Sequence, residues 1–243
     1  MQRQNLNPIL RSFSGILLDL NGTFMFGQDR FGPQYDYYAT YCSMGGNVLA
    51  GDELRAGIDS CFAELDRISN NSARYDSFPS VADVLRTLPE TSHLPNRERL
   101  LVESVYAYHE VGHVPSSYAV VLQELALTHR LGLVSNIWSK KEIFVLELER
   151  AEVLKLFSAL VFSSEGICIK PSRAIFDQAV AGLTLPLQDV VMIGDNLQCD
   201  VGGAAAAGLA SIWINSTGQT IPTSAPEPDY IISDLQELLV HSH

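Results

Sequence analysis

The chain of 243 residues has a formal net charge of −12, from 16 basic and 28 acidic residues, and 47% of its residues are hydrophobic. This length and composition allow one large domain, or a core domain with a smaller companion, around a sizeable buried core. Binding through nucleic-acid phosphates is not expected because Lys and Arg form no cluster. No apolar run approaches the roughly 18 residues of a membrane span, so we expect a soluble protein without a membrane partner.

Cysteine usage and the first residues predict a cytoplasmic protein. The chain contains no CxxC pair, and its cysteines are widely spaced, at Cys42, Cys61, Cys168 and Cys199. This pattern is typical of free thiols in a reducing compartment. Residues 1–12 lack the apolar stretch of about 7–15 residues that a secretory signal requires.

Six short apolar runs predict the strands of a sheet. In chain order they are GILLDL, RLGLVS, ALVFSS, DVVMIG, LASIWIN and DYIISD. The stretches between the later runs have helical spacing or helix-forming composition, as in KKEIFVLELERAEVL and PSRAIFDQAVAGL. Apolar runs that do not alternate, connected by helices, indicate a parallel sheet covered on both faces, and therefore an α/β fold.

Residues 34–113 have a different pattern, in which amphipathic helices follow one another without an intervening strand. Asp52 and Ser80 are placed as N-caps of two of these helices. The pattern predicts a helical block inserted into the α/β domain directly after its first strand.

Polar side chains follow four of the predicted strands. Ligands of an open parallel sheet bind at the carboxyl ends of its strands, so these side chains are expected to meet at one edge. One cation, several carboxylates and small hydroxyl or amide groups would then converge. They are Asp19, Asn21 and Thr23 after the first strand, Ser135 and Asn136 after the second, then Lys170, and finally Asp195 and Asp200.

Four sequence motifs carry these residues in a fixed order: LLDLNGT, GLVSN, IKPSRAIF and IGDNLQCD. Through them the chain resembles the haloacid dehalogenase-like (HAD) hydrolase superfamily over essentially its whole length. The resemblance implies a Rossmann-like core formed by residues 1–26 and 114–243. It also implies that residues 27–113 are a helical cap of the C1 type.

The resemblance also implies roles for the site residues. Asp19 would attack phosphorus and form an aspartyl-phosphate that water then hydrolyses. Mg²⁺ would be the cofactor, held by the Asp19 carboxylate, the backbone carbonyl of Asn21 and Asp195, with support from Asp200. Lys170 would hold the charges of nucleophile and phosphoryl group together. The remaining phosphate contacts would come from Thr23, Ser135 and Asn136.

Asn21 stands where most phosphatases of this family have an aspartate that protonates the leaving oxygen. An amide exchanges no proton usefully near neutral pH, and general acid–base catalysis contributes about 10²–10⁴-fold. The sequence therefore predicts a Mg²⁺-dependent phosphatase of a small phosphorylated metabolite, acting as a monomer or homodimer, with a weakened proton-transfer step. Asp29 and Arg30, just past the first motif, are candidates for substrate contact or for a replacement acid.

Three other functions stay open. A regulatory protein could hold Mg²⁺ and a phosphorylated ligand without turnover, and the phosphoryl group could pass to an acceptor other than water. A 2-haloacid dehalogenase would also attack with Asp19, but its family replaces the carboxylate at Asp195 with a hydroxyl. A carboxylate there without a metal would repel Asp19, so dehalogenation is disfavoured.

A zinc motif also deserves weighing, because His109, Glu110 and His113 have H-E-x-x-H spacing. Gly112 lies inside this motif and Pro115 follows it, so a long helix presenting both imidazoles on one face is not expected. No third ligand is evident downstream. A chance or structural origin is favoured.

Overall fold

The computed structural model, which describes residues 6–239, confirms the α/β class with a single parallel sheet of six strands. The ends of the predicted core, residues 1–5 and 240–243, lie outside the described residues. The strands are β1 (Gly15–Leu18), β2 (Arg130–Ser135), β3 (Phe157–Phe162), β4 (Val190–Gly194), β5 (Ala210–Ile214) and β6 (Tyr230–Ile232). Their order across the sheet is β3-β2-β1-β4-β5-β6, which places β1 between β2 and β4.

Strand β1 is buried on both faces because its apolar side chains do not alternate with polar ones. Leu17 packs in the hydrophobic cluster that contains Phe176, on one face of the sheet. Ile16 and Leu18 belong to the larger cluster on the other face, which contains Phe144. The sheet therefore has a hydrophobic layer on each side, and only its strand ends remain for polar chemistry.

Helices on the two faces connect the strands. They are α5 (Ser116–Ala126), α6 (Glu142–Arg150), α7 (Arg173–Leu183) and α8 (Gly202–Ala207), and a single π-helical turn (Leu197–Val201) precedes α8. Helix α7 begins where the side chain of Ser172 accepts a hydrogen bond from the backbone N–H of Ala174. These connections return the chain to the same edge of the sheet before each strand.

Four helices lie between β1 and α5: α1 (Tyr37–Ser43), α2 (Gly51–Ser69), α3 (Val81–Thr87) and α4 (Asn96–Glu110). No strand lies between residues 27 and 112. These helices share a hydrophobic cluster of their own, to which Ile58, Leu65 and Tyr106 belong. From the rest of the chain this cluster takes the buried side chain of Ile169 and the half-buried ring of Trp138.

The helical segment is fixed to the strand ends by backbone hydrogen bonds. The N–H of Phe78 donates to the carbonyl of Ile167 at 2.8 Å, and the N–H of Ile169 donates to that of Tyr75 at 2.8 Å. Where the segment begins and ends, Phe26 and His113 exchange two antiparallel hydrogen bonds of 2.9 and 2.8 Å. The chain therefore leaves the sheet region and returns to it at one point.

One of the two predicted helix caps is correct. Ser80 caps α3, with its side chain accepting from the N–H of Asp83. The prediction for Asp52 was wrong, because α2 already begins at Gly51 and Asp52 lies in its first turn. There the carboxylate of Glu53 accepts from the N–H of Ala50, and a negative charge favours this end of a helix.

Within residues 6–239 we find no helix that combines the length and the apolar character needed to cross a membrane.

We expect Leu17→Ala to lower the free energy of unfolding by about 2–5 kcal/mol, because it leaves a cavity inside the central strand. Urea denaturation measures this change. Leu146→Ala is the matched control, since Leu146 is 61% exposed on α6 and its truncation should change stability by less than about 0.5 kcal/mol. Equal effects of the two variants would contradict the described core.

Candidate active site

Asp19 directly follows β1 and begins a tight turn at the carboxyl end of the sheet. Its backbone N–H donates to the carbonyl of Ile193 at 2.9 Å, which continues the pairing with β4. Gly22 in this turn has φ +76°, and a Cβ there would lie 2.3 Å from Oδ2 of Asp195. The glycine therefore lets the turn after β1 approach the residue that follows β4.

Lys170 is buried between two carboxylates. Its Nζ donates to Oδ1 of Asp19 at 2.6 Å and to Oδ1 of Asp200 at 2.7 Å. Burial alone would lower the pKa of Lys170, but the attraction of Asp19 and Asp200 raises it above its usual value. The ammonium group stays charged and holds the ends of β1 and β4 together.

Asn136 fixes the backbone of Lys170. The N–H of Lys170 donates to Oδ1 of Asn136 at 2.8 Å, and Nδ2 of Asn136 donates to the carbonyl of Lys170 at 3.1 Å. Both polar atoms of this side chain are thus engaged with the catalytic lysine's main chain. The role in phosphate binding expected for Asn136 stays a prediction.

The carboxylates of Asp19, Asp195 and Asp200 supply oxygen atoms that all lie within 4.8 Å of one another. Asp195 borders the open cleft, yet the protein packed around its carboxyl group, and next Asp19 and Asp200, raise its pKa to about 7. Asp200 is fully enclosed and accepts from the N–H of Asn196 at 2.9 Å. A donor set made only of oxygen suits Mg²⁺, and a cation here would offset the repulsion among the three carboxylates. These residues therefore fit the expected metal.

Three polar side-chain atoms near the strand ends are buried and have no hydrogen-bond partner in the described chain: Oδ1 of Asn21, Oγ1 of Thr23 and Oγ of Ser135. Buried polar groups are usually paired, because desolvation without a partner is unfavourable. The hydroxyl groups of Thr23 and Ser135 are free to donate to an anionic oxygen.

A cleft of about 530 Å³ opens at this edge of the sheet. Asp19, Asn21, Lys170 and Asp195 line its floor. The helical segment and its connections add aromatic, amide and acidic groups, namely Phe62, Asp66, Ser69, Asn70, Tyr75, Asp29, Glu110 and Trp138. The structure thus brings the strand-end residues and the helical segment to one enclosed space.

Known proteins share this arrangement and these motifs. The HAD-hydrolase-like family model matches residues 167–238, which include Lys170, Asp195 and Asp200. N-acylneuraminate-9-phosphatase of Mus musculus is 34% identical over 119 residues, which cover 49% of this chain and 47% of that protein. The chain belongs to the haloacid dehalogenase-like (HAD) hydrolase superfamily.

A second HAD-type relative is the pyrimidine 5'-nucleotidase YjjG of Escherichia coli strain K12. It is 33% identical over 110 residues, covering 45% of this chain and 48% of that protein. The chain therefore spans about half the length of these relatives.

Solved HAD structures share the fold across nearly the whole chain. A HAD phosphatase from Thermococcus onnurineus matches with a TM-score of 0.62 at 24% identity, covering 93% of this chain and 96% of that one. The HAD hydrolase YfnB of Bacillus subtilis, bound to magnesium, matches over the same shares with a TM-score of 0.60 at 16% identity. A 2-haloacid dehalogenase from Pseudomonas syringae does so with a TM-score of 0.65 at 19% identity. At these identities the likeness shows the fold alone.

The H-E-x-x-H residues of this HAD chain do not share one helical face. Helix α4 ends at Glu110, so His113 lies beyond it, with its side chain 62% exposed and 3.2 Å from Glu147. His109 is buried, its two ring nitrogens lying 3.1 Å from Oγ1 of Thr40 and 3.0 Å from the carbonyl oxygen of Arg30. These contacts agree with a structural origin for the motif.

Glu110 has a contact that the sequence did not indicate. Its carboxylate accepts from the backbone N–H groups of Trp138 and Ser139, at 2.6 and 2.9 Å, just after β2. The side chain is only 4% exposed. Burial raises the pKa of Glu110 to about 7, although the two N–H groups oppose this rise. Glu110 thus joins the end of the helical segment to the rim of the cleft.

We expect Glu110→Gln to change the pH dependence of folding. The folded-state pKa of Glu110 lies above its unfolded value of about 4.3. Between these values the folded state binds more protons, so stability from this group is present at low pH and lost as pH rises to about 7. An amide mimics the protonated acid. The variant should match the natural protein within about 1 kcal/mol at pH 5 and exceed its stability by roughly 1–3 kcal/mol at pH 8.

Urea denaturation at both pH values measures this difference, and titrations shared by the two proteins cancel in the comparison. Glu149→Gln is the control, because Glu149 is exposed on α6 and its variant should show no such change. A Glu110→Gln variant that is equally destabilised at pH 5 and pH 8 would contradict the raised pKa.

Proposed function

We propose that this protein is a Mg²⁺-dependent phosphohydrolase that acts on a small phosphorylated metabolite through an aspartyl-phosphate at Asp19. The observation that carries the proposal is the convergence of Lys170 with Asp19, Asp195 and Asp200 on the floor of one cleft. The naming of two relatives as a phosphatase and a nucleotidase supports it. The magnesium-bound relative supports the choice of metal.

In the first step, one oxygen of Asp19 attacks phosphorus while the ester bond to the leaving oxygen breaks. Lys170 occupies Oδ1, and no donor in residues 6–239 reaches Oδ2, which is therefore the nucleophilic oxygen. The Lys170 ammonium offsets the repulsion between this carboxylate and the phosphate. Bound Mg²⁺, held by Asp19, the Asn21 carbonyl and Asp195 with support from Asp200, would supply further charge neutralisation.

The transferring oxygens need donors, and the structure offers two free hydroxyl groups. Thr23 and Ser135 are the proposed partners because each is buried with its oxygen unpaired. Asn136 is a further proposed contact through the cleft that it lines. Water then attacks phosphorus in the second step, which releases phosphate and restores the Asp19 carboxylate.

We assign residues 27–113 as a cap over a core of residues 1–26 and 114–243. The separate hydrophobic cluster of the helices and the paired entry and exit at Phe26 and His113 support this division. Cap side chains that line the cleft would select the metabolite. A cytoplasmic monomer or homodimer without a nucleic-acid partner is the state proposed for this enzyme.

Dehalogenation is the less favoured reaction, despite the structural likeness to a dehalogenase. Asp195 and Asp200 place two more carboxylates beside Asp19, and this repulsion hinders attack unless a cation is bound. A metal-binding regulatory protein without turnover is a second candidate, favoured by the amide at Asn21.

The metal assignment is tested with Asp195→Ala. Isothermal titration calorimetry should show Mg²⁺ affinity reduced at least roughly 10-fold, because one direct oxygen ligand is lost. Circular dichroism should be unchanged, since the substitution removes a repelling charge. Asp177→Ala, which removes an exposed carboxylate on α7, should keep the affinity of the natural protein. Unaltered binding by Asp195→Ala would refute this ligand.

The role of position 21 is tested with Asn21→Asp, which adds a proton donor of nearly the same shape. Turnover of 4-nitrobenzyl phosphate, whose alkoxide leaves poorly, should rise at least ~10-fold. Turnover of 4-nitrophenyl phosphate should change less, because its phenolate leaves without protonation. Asn96→Asp, an exposed change at the start of α4, is the control for the added charge.

Single-turnover measurement of phosphoenzyme separates the two candidate functions. Rapid formation followed by hydrolysis supports the phosphohydrolase. A phosphoenzyme that forms rapidly and persists in the natural protein would favour the regulatory candidate. No phosphoenzyme in either the natural protein or Asn21→Asp would count against catalysis.

A further inference from the structure

Hydrolysis of an alkyl phosphate needs a proton donor that the turn after β1 does not supply. When the ester bond breaks, the leaving oxygen carries the electron pair as an alkoxide and must be protonated. Asn21 lines the cleft at this point, but its amide has no proton to give near neutral pH. On the proposed function, another group of the cleft must therefore be the acid.

Most other ionisable groups of the cleft are already engaged. Both carboxylate-facing hydrogen bonds of Lys170 go to Asp19 and Asp200. The two oxygens of Glu110 accept from the backbone after β2, at Trp138 and Ser139. Asp66 on α2 accepts a long hydrogen bond of 3.5 Å from its neighbour Asn70. None of these side chains is poised to deliver a proton.

Asp29 differs because its carboxylate lines the same cleft as Asp19 and Asn21 yet accepts no hydrogen bond within residues 6–239. Its backbone is firmly held: its N–H donates to the carbonyl of Glu110 at 3.2 Å, and its carbonyl accepts from Phe31 at 2.8 Å. The residue has φ +54°, a left-handed conformation that is uncommon outside glycine. Such conformations concentrate at functional sites, where the surrounding structure enforces them.

The charged and titratable groups around Asp29 are Arg30, Glu110 and Tyr106. Arg30 does not neutralise the carboxylate, because its guanidinium donates to the carbonyls of Gly27 and Val111. Protein packed around Asp29 raises its pKa to about 6, against the lowering effect of Arg30. A carboxylic acid in this range is partly protonated near neutral pH and can both give and take a proton.

We propose that Asp29 is the general acid of this enzyme and protonates the leaving oxygen in place of an acid at position 21. The proton of Asp29 goes to the alkoxide as the phosphorus–oxygen ester bond breaks. The Asp29 carboxylate then takes a proton from the water that attacks the aspartyl-phosphate. Each turnover thereby returns Asp29 to its starting state.

Asp29→Asn tests this role, since asparagine keeps the shape and tolerates the left-handed conformation. Turnover of 4-nitrobenzyl phosphate should fall at least ~10-fold, whereas that of 4-nitrophenyl phosphate should fall less than about 3-fold. In the natural protein, the ratio of kcat/KM for the benzyl ester to that for the phenyl ester should decrease as pH rises through about 6. In Asp29→Asn the ratio should not depend on pH.

The same substitution in the Asn21→Asp background is the decisive comparison. There the new acid replaces Asp29, so Asp29→Asn should reduce benzyl ester turnover less than about 3-fold. Asp66→Asn removes another carboxylate from the same cleft, and it should shift the rates for both esters together.

Equal losses for the two esters, or the same loss in both backgrounds, would overturn the role of Asp29. Benzyl ester turnover by Asn21→Asp with none in the natural protein would overturn it while leaving the proposed function intact. No turnover of either ester in any variant would contradict both proposals.

Discussion

The buried ammonium group of Lys170 joins residues that arrive from three different parts of the sheet. Asp19 follows β1, Asp200 follows β4, and Lys170 itself follows β3. An ammonium with this little exposure is tolerated only when it is paired, so the three connections must close around it together. When ionised, the three carboxylates exceed the single ammonium by two charges. A divalent cation is the natural complement to that excess before a phosphate dianion can approach.

The strands and the convergence of polar strand ends could be predicted because they follow from local rules. Buried parallel strands have continuous apolar runs, and their carboxyl ends share an edge whatever the details of packing. The start of α2 was misplaced because Asp52 suits either the cap or the first turn, and only the full hydrogen-bond pattern distinguishes them. Helix α5 was not assigned, since its buried residues Ala119, Val121, Leu122 and Leu125 blur the helical period.

Long-range contacts explain the residues whose surroundings the sequence did not give. Glu110 was considered only as part of a zinc-like spacing, whereas its partners lie 28 and 29 residues away, at Trp138 and Ser139. Asn136 was considered for phosphate, and its hydrogen bonds to Lys170 span 34 residues. Such pairings depend on how two connections meet above the sheet. No single stretch of sequence contains that information.

The two hydrogen bonds between Phe26 and His113 bring the ends of an 86-residue excursion together. Because this short pairing closes the loop, the length and content of the intervening chain are uncoupled from the register of β1 with β2. The entropy of closing a longer or shorter insertion changes only slowly with its length. Helices could therefore be added, lost or exchanged between these two residues while the strand ends below keep their positions, which makes this junction a point at which substrate preference can diversify without rebuilding the chemistry.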